Sequence, residues 1–172
     1  ASGRMILMTA HRRENWGEPM RDICIAVKKI VESNPDVTVV FPVHKNPIVR
    51  DTVYPELQGV DRVILTEPPD YVPFVHLIKE SHLILTDSGG VQEEAPSLGK
   101  PVLVLRKTTE RPEGVEAGSA KLVGTDVDTI VREAETLLRN EAAYQAMAAV
   151  KSPYGDGCAA ERIWEIIRSR FI

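Results

Sequence analysis

Leu83–Arg111 reads LILTDSGGVQEEAPSLGKPVLVLRKTTER: a short apolar run, a Ser-Gly-Gly turn, a helical stretch and a second apolar run. Leu83-Ile84-Leu85-Thr86 has no polar face, as expected of a strand covered on both sides in a parallel sheet. Asp87-Ser88-Gly89-Gly90 then turns the chain into Val91-Gln92-Glu93-Glu94-Ala95, with Ser88 in the N-cap position. The first turn of a helix leaves backbone N–H groups unpaired at the positive end of the peptide dipoles, and two glycines let an anion approach without meeting a Cβ. The turn therefore suits a phosphate or a pyrophosphate. Glu94 falls one helical turn past Gly90 on the same face, where a carboxylate can accept hydrogen bonds from two neighbouring hydroxyls, as a ribose diol offers. Many α/β proteins also turn from strand to helix on Ser and Gly for steric reasons alone, and this turn matches neither the Walker pattern nor Gly-x-Gly-x-x-Gly.

The same strand-loop-helix rhythm extends in both directions. Met5–Thr9 and Val37–Val43 are apolar strands that deliver Ala10–Gly17 and Pro42–Pro47 to loops at their C-terminal ends, where open α/β sheets carry their sites. Helices are predicted for a stripe through Ile23, Val27, Ile30 and Val31, for Ile48–Leu57, for Tyr71–Ile78, for Val127–Leu138 and for Glu141–Val150. Further strands fall at Arg62–Leu65, Val102–Leu105 and Lys121–Val123, and Arg106–Gly118 reads as one long polar loop. A final helix, Ala159–Arg170, turns Ile163, Ile166 and Ile167 to one side, as if to dock elsewhere. Alternating strands and helices predict a parallel sheet with helices on both faces and no internal domain boundary.

The composition bounds the partners. With 172 residues, 43% hydrophobic and 27% charged, the chain can bury a real core, and 21 basic against 25 acidic residues give −4. That balance argues against nucleic acid or a membrane surface and for a small molecule. Cys24 and Cys158 fit no metal or redox spacing and read as inert thiols, Cys24 packed in a helix. No run spans a membrane and no secretory signal opens the chain, so a cytoplasmic location is expected. The opening Ala1-Ser2-Gly3-Arg4 meets a strand almost at once, which suggests a piece of something longer.

Three of the loops at strand ends favour an anion: His11-Arg12-Arg13, tempered by Glu14; His44-Lys45; and Ser88-Gly89-Gly90. Arg111 can grip a phosphate with two parallel bonds, or else pair on the surface with Glu110 or Glu113. Phe74, in a chain with 5% aromatic residues, can bear against a nucleobase or simply pack in the core. His76 and His82 read as structural. No metal site, cofactor site or nucleophile–base pair is apparent, and Glu93 and Glu94 fit binding better than acid/base work.

Thr9–Asn15 (TAHRREN), Pro42–Pro47 (PVHKNP), Thr86–Pro101 (TDSGGVQEEAPSLGKP), Thr108–Glu113 (TTERPE) and Ser152–Gly157 (SPYGDG) closely resemble the non-hydrolysing UDP-N-acetylglucosamine 2-epimerases of bacteria, and the resemblance covers essentially the whole chain. It implies the Rossmann-like C-terminal half of a two-domain, glycosyltransferase-B-type architecture, residues 1–172, with UDP in the interdomain cleft. By the same resemblance Ser88, Gly89 and Gly90 hold the diphosphate, Glu94 the ribose, Phe74 the uracil region, Arg111 supports the nucleotide, and His11 acts beside the leaving UDP oxygen. UDP is eliminated to give a 2-acetamidoglucal and re-added after C2 is reprotonated from the other face, with the acid/base carboxylates in the N-terminal domain. The product feeds cell-surface polysaccharides. Arg12 and His44 match positions associated with a second, activating UDP-N-acetylglucosamine, and the full-length enzyme is expected to be a homodimer. Pro69 departs from the family near the uracil. A glycosyltransferase half, which would give no reason for His11–Asn15, and a non-catalytic sugar-nucleotide-binding module are the alternatives.

Overall fold

The computed structural model describes residues 3–171, so Ala1 and Ser2 of the opening stretch lie outside it. Six strands, β1 (Arg4–Thr9), β2 (Val37–Pro42), β3 (Val63–Thr66), β4 (Leu83–Thr86), β5 (Val102–Val104) and β6 (Ala120–Leu122), form one sheet in the order β3-β2-β1-β4-β5-β6. Every neighbouring pair is parallel. The helices between and after them are α1 (Glu18–Ser33), α2 (Pro47–Leu57), α3 (Tyr71–Glu80), α4 (Gly89–Ser97), α5 (Pro112–Ala117), α6 (Val127–Arg139), α7 (Glu141–Ala148) and α8 (Ala159–Phe171).

Strand alternation divides the core in two. Ile6 and Met8 of β1 face a larger cluster with Ile23 and Val27 of α1, Val53 of α2 and Ile130 of α6. Leu7 faces the opposite side, with Ile78 of α3 and Val91 and Ala95 of α4. Both faces of the inner strands β1, β2, β4 and β5 are covered, which is why they read as unbroken apolar runs. Cys24 lies in the larger cluster, where burial pushes its thiol up to about 12.

The order reverses at β1, which has β2 on one side and β4 on the other. The connections after β1 and β4 leave in opposite directions, and the crevice opened between them is where doubly wound sheets bind ligands.

Two expectations change. Arg106–Gly118 is not one loop, because Pro112–Ala117 is a helical turn and a half. Pro112 stands at its N-terminus and Gly118 closes it in the left-handed region (φ 89°), the usual positions for those residues. Six residues are too short to show periodicity. The second change is His76, which is exposed on α3 and packs in no core; His82 is half-buried and stacks on Tyr144 at 4.2 Å. Helix α8 forms where its spacing predicts, but every residue of it is exposed, including Ile163, Trp164, Ile166 and Ile167.

Candidate functional site

Asp87, at the end of β4, organises the crevice. It is fully buried, and its Oδ2 accepts hydrogen bonds from the backbone N–H of His11 (2.9 Å), the backbone N–H of Arg12 (2.9 Å) and Asn15 Nδ2 (2.9 Å). Asn15 also donates to the Leu105 carbonyl (3.0 Å), which ties the ends of β1, β4 and β5 together. A buried carboxylate is tolerated because every donor aimed at it is fixed. The loop after β1 therefore hangs on the residue just before the Ser-Gly-Gly turn.

Ser88 takes the N-cap position of α4, but its side chain makes no capping hydrogen bond. Its own N–H donates to Thr86 Oγ1 (2.9 Å), which pairs with Thr9 Oγ1 (2.6 Å). The Ser88 hydroxyl and the first-turn N–H groups of α4 are thus left for a ligand. Gly90 is exposed and a Cβ there would meet only Ser88 Oγ at 4.0 Å, whereas a Cβ at Gly89 would stand 2.8 Å from Glu110 Oε1. Gln92 anchors the far side: its Nε2 donates to the Ser88 carbonyl (3.1 Å), and its Oε1 accepts from Thr109 Oγ1 (2.6 Å), which in turn accepts from the Arg111 N–H (3.0 Å). Glu94 is half-buried and has no side-chain hydrogen-bond or ion-pair partner among the described residues. Burial, with the neighbouring Glu93, raises its pKa, a cost that two hydroxyl donors would offset.

A cleft of about 200 Å³ opens beside this turn, lined by His11, Pro42, His44, Pro69, Phe74 and Ser88 among others. His11 and His44 stack with ring centroids 5.2 Å apart. Burial lowers the His11 pKa; Asp87, 4.0 Å away, pulls it up, and His44 and Arg12 push it down further. The net effect favours the neutral ring, which a ligand anion would reverse. Among the described residues no group of His, Cys, Asp or Glu is placed to hold a metal ion.

A family model described as UDP-N-acetylglucosamine 2-epimerase matches residues 1–168. The chain belongs to this family. The UDP-N-acetylglucosamine 2-epimerase of Bacillus subtilis is 56% identical over 162 residues, which are 94% of this chain and 43% of the relative. Among solved structures, S. aureus MnaA with UDP is 50% identical with a TM-score of 0.92, over 97% of this chain and 46% of that one. The Neisseria meningitidis UDP-GlcNAc 2-epimerase bound to UDP-GlcNAc is 47% identical with a TM-score of 0.93, over 98% and 45%. This chain thus spans less than half the length of these family members. The glycotransferase of kitacinnamycin, 15% identical with a TM-score of 0.72, shares the fold alone, and the fold is the Rossmann-like half of the glycosyltransferase-B-type architecture.

Against that family frame, His11, His44, Phe74 and Ser88 share the cleft, and Gly89, Gly90 and Glu94 lie on the adjoining helix α4. Phe74 has both of its expected surroundings, since it lines the cleft and also packs against the smaller core cluster. Lys45 does not line the cleft. Arg111 pairs with neither Glu110 nor Glu113 through their side chains; its Nε donates to Glu93 and its Nη1 to the Glu110 carbonyl (3.1 Å). Glu14 does not neutralise the cluster before it but pairs with Arg106 (2.7 Å). Arg12 turns to Asp87 O (3.3 Å) and Glu110 (3.3 Å). The residues that local reading missed are Asp87, Asn15, Gln92 and Glu110. A polar Gln92 between Val91 and Ala95 on a buried stripe, one turn past Ser88, is the one legible signal among them.

Proposed function

We propose that this chain forms the UDP-binding half of a UDP-N-acetylglucosamine 2-epimerase, an isomerase that interconverts UDP-N-acetylglucosamine and UDP-N-acetylmannosamine. The observation that carries the reading is Glu94: a half-buried carboxylate without a partner among the described residues, one helical turn from a helix start whose N-cap hydroxyl makes no capping hydrogen bond. A ribose diol on Glu94 and a diphosphate over Ser88, Gly89 and Gly90 satisfy both at once. Phe74 and the Pro68-Pro69 wall suit the uracil ring, and the prolines would offer it backbone rather than side-chain contacts. Arg111 supports the nucleotide from the loop after β5, and Arg12 and His44 are the residues here for a second, activating sugar nucleotide.

In this reading UDP leaves C1 as a proton leaves C2, and the glucal so formed takes both back with the proton on the opposite face. The charge that develops on the departing phosphate oxygen lies at the start of α4 and beside His11, whose protonation it favours. Proton transfer at C2 belongs to carboxylates of the remainder of the enzyme, so this chain alone binds UDP without exchanging the C2 proton. The exposed apolar side of α8 supports contact with further protein, whether that remainder or the second subunit of a homodimer. The family's sugar-nucleotide chemistry and two free thiols support a cytoplasmic enzyme.

Calorimetric titration with UDP tests the assignment. Glu94→Ala removes two charge-assisted hydrogen bonds, worth roughly 1.5–3 kcal/mol each before water substitutes for them, so UDP affinity falls at least tenfold. Unchanged affinity would sink the ribose assignment.

A further inference from the structure

Gly89 is the first residue of α4, and the atom nearest to where a Cβ would stand is not a ligand atom but Glu110 Oε1, at 2.8 Å, the movable end of a flexible side chain. Arg111 Cζ lies 3.8 Å from the same point. The carboxylate makes no hydrogen bond to the α4 amides and is held from its other side. Arg12 Nη2 donates to Oε1 (3.3 Å), and Arg106 donates to Oε2. Arg106, with only 12% of its side chain exposed, is fixed in turn by Glu14 (2.7 Å). Two guanidinium groups on two different loops thus hold a carboxylate at the positive end of a helix, beside the uncommitted Ser88 hydroxyl.

We propose that Glu110 is an electrostatic gate on this anion site, which sets how much negative charge the site accepts. The proposal rests on the reading of the cleft as a UDP site. A phosphate that approaches the first turn of α4 must share its field with Glu110 or drive the carboxylate aside, and either course opposes binding in proportion to the ligand's charge. When the carboxylate moves aside, Arg12 is released toward the ligand. The gate thereby favours a nucleoside diphosphate over more highly charged anions, and it couples phosphate binding to the Arg12 position. If Glu110 served only as a prop for Arg12 and Arg106, its removal would loosen both arginines and weaken binding. The two roles differ in sign.

The test uses Glu110→Gln, which keeps the size and one acceptor oxygen and removes the charge. In this chain the UDP dissociation constant should fall about tenfold, that of UMP by less, and that of uridine not at all, with the UDP gain shrinking as salt screens the charge. Unchanged or weaker UDP binding by a folded variant would overturn the gate while leaving the UDP site in place. If the unsubstituted chain bound neither UDP nor UMP, the reading of the cleft would fall and the gate with it. A second measurement needs no variant: the Glu110 side-chain carboxyl carbon resonance of the unsubstituted chain should move on addition of pyrophosphate and stay still with uridine. Movement with both, or with neither, would count against the gate.

Discussion

The loop after β1 and the loop after β5 both bring arginines to the N-terminal end of α4, and they are held there by different means. The first hangs on Asp87, which is fully buried and receives backbone donors from His11 and Arg12 and a side-chain donor from Asn15. The second is tied to the buried Gln92 by the hydrogen bond from Thr109, and its arginines are otherwise held by paired charges whose acidic members, Glu14, Glu93 and Glu110, are each about half exposed. Buried donors that lose their acceptor have no water to turn to, whereas exposed ion pairs exchange with solvent at little cost. The first loop is therefore part of the fold, and the second is the part of the site that a charged ligand can rearrange.

The largest expected effect tests the rigid side of that contrast. Asp87→Ala orphans the N–H groups of His11 and Arg12 and the amide of Asn15, and should destabilise the domain by about 3–5 kcal/mol in denaturant unfolding. A loss below about 1 kcal/mol would mean that water replaces Asp87, and the contrast between the loops would break.

A smaller effect should appear on acidification. His11 and His82 both have lowered pKa values, principally through burial. Each is held neutral in the fold, so its contribution to stability is present above the unfolded value of about 6.5 and is lost as pH falls below it. Bound diphosphate should raise the His11 pKa and leave that of His82 unchanged, because of these two only His11 lines the cleft. Ring-proton NMR titration with and without UDP separates the two histidines, and a fall in the His11 pKa on binding would contradict its place beside the phosphate.

The smallest change concerns the second loop. Glu93→Gln removes the partner of Arg111 and the charge that helps to raise the Glu94 pKa. Unfolding should be unaltered within error, while the Glu94 carboxyl titrates closer to its ordinary value of 4.5. A marked loss of stability would show that surface pairs fix this loop as firmly as Asp87 fixes the other.

What could be read along the chain was what local chemistry controls. Apolar runs bounded by turn residues gave the strands, the stripe through Ile23, Val27, Ile30 and Val31 gave α1, and the Ser-Gly-Gly turn with Glu94 one helical turn on gave the anion and diol pattern. These signals need only the periods of strand and helix. Pro112–Ala117 was illegible because one and a half turns carry no period; for α8 the stripe suggested docking elsewhere, but amphipathic spacing announces a buried face without naming what buries it.

For several charges around the site, partner choice was decided by tertiary structure. Arg111 has Glu110 beside it and Glu113 two residues on, yet it pairs with Glu93, 18 residues back; Arg106 reaches Glu14 across 92 residues; and Asp87, an ordinary turn residue by sequence, becomes the acceptor for a loop more than 70 residues away. The sequence by itself determined which segments are strands and helices and which loops bear charge, because those depend on neighbours within a turn or two. The sheet order decided which loops meet, because parallel pairing of β1 with β4 brings distant strand ends together, and at that distance nothing in local spacing records which carboxylate an arginine will find.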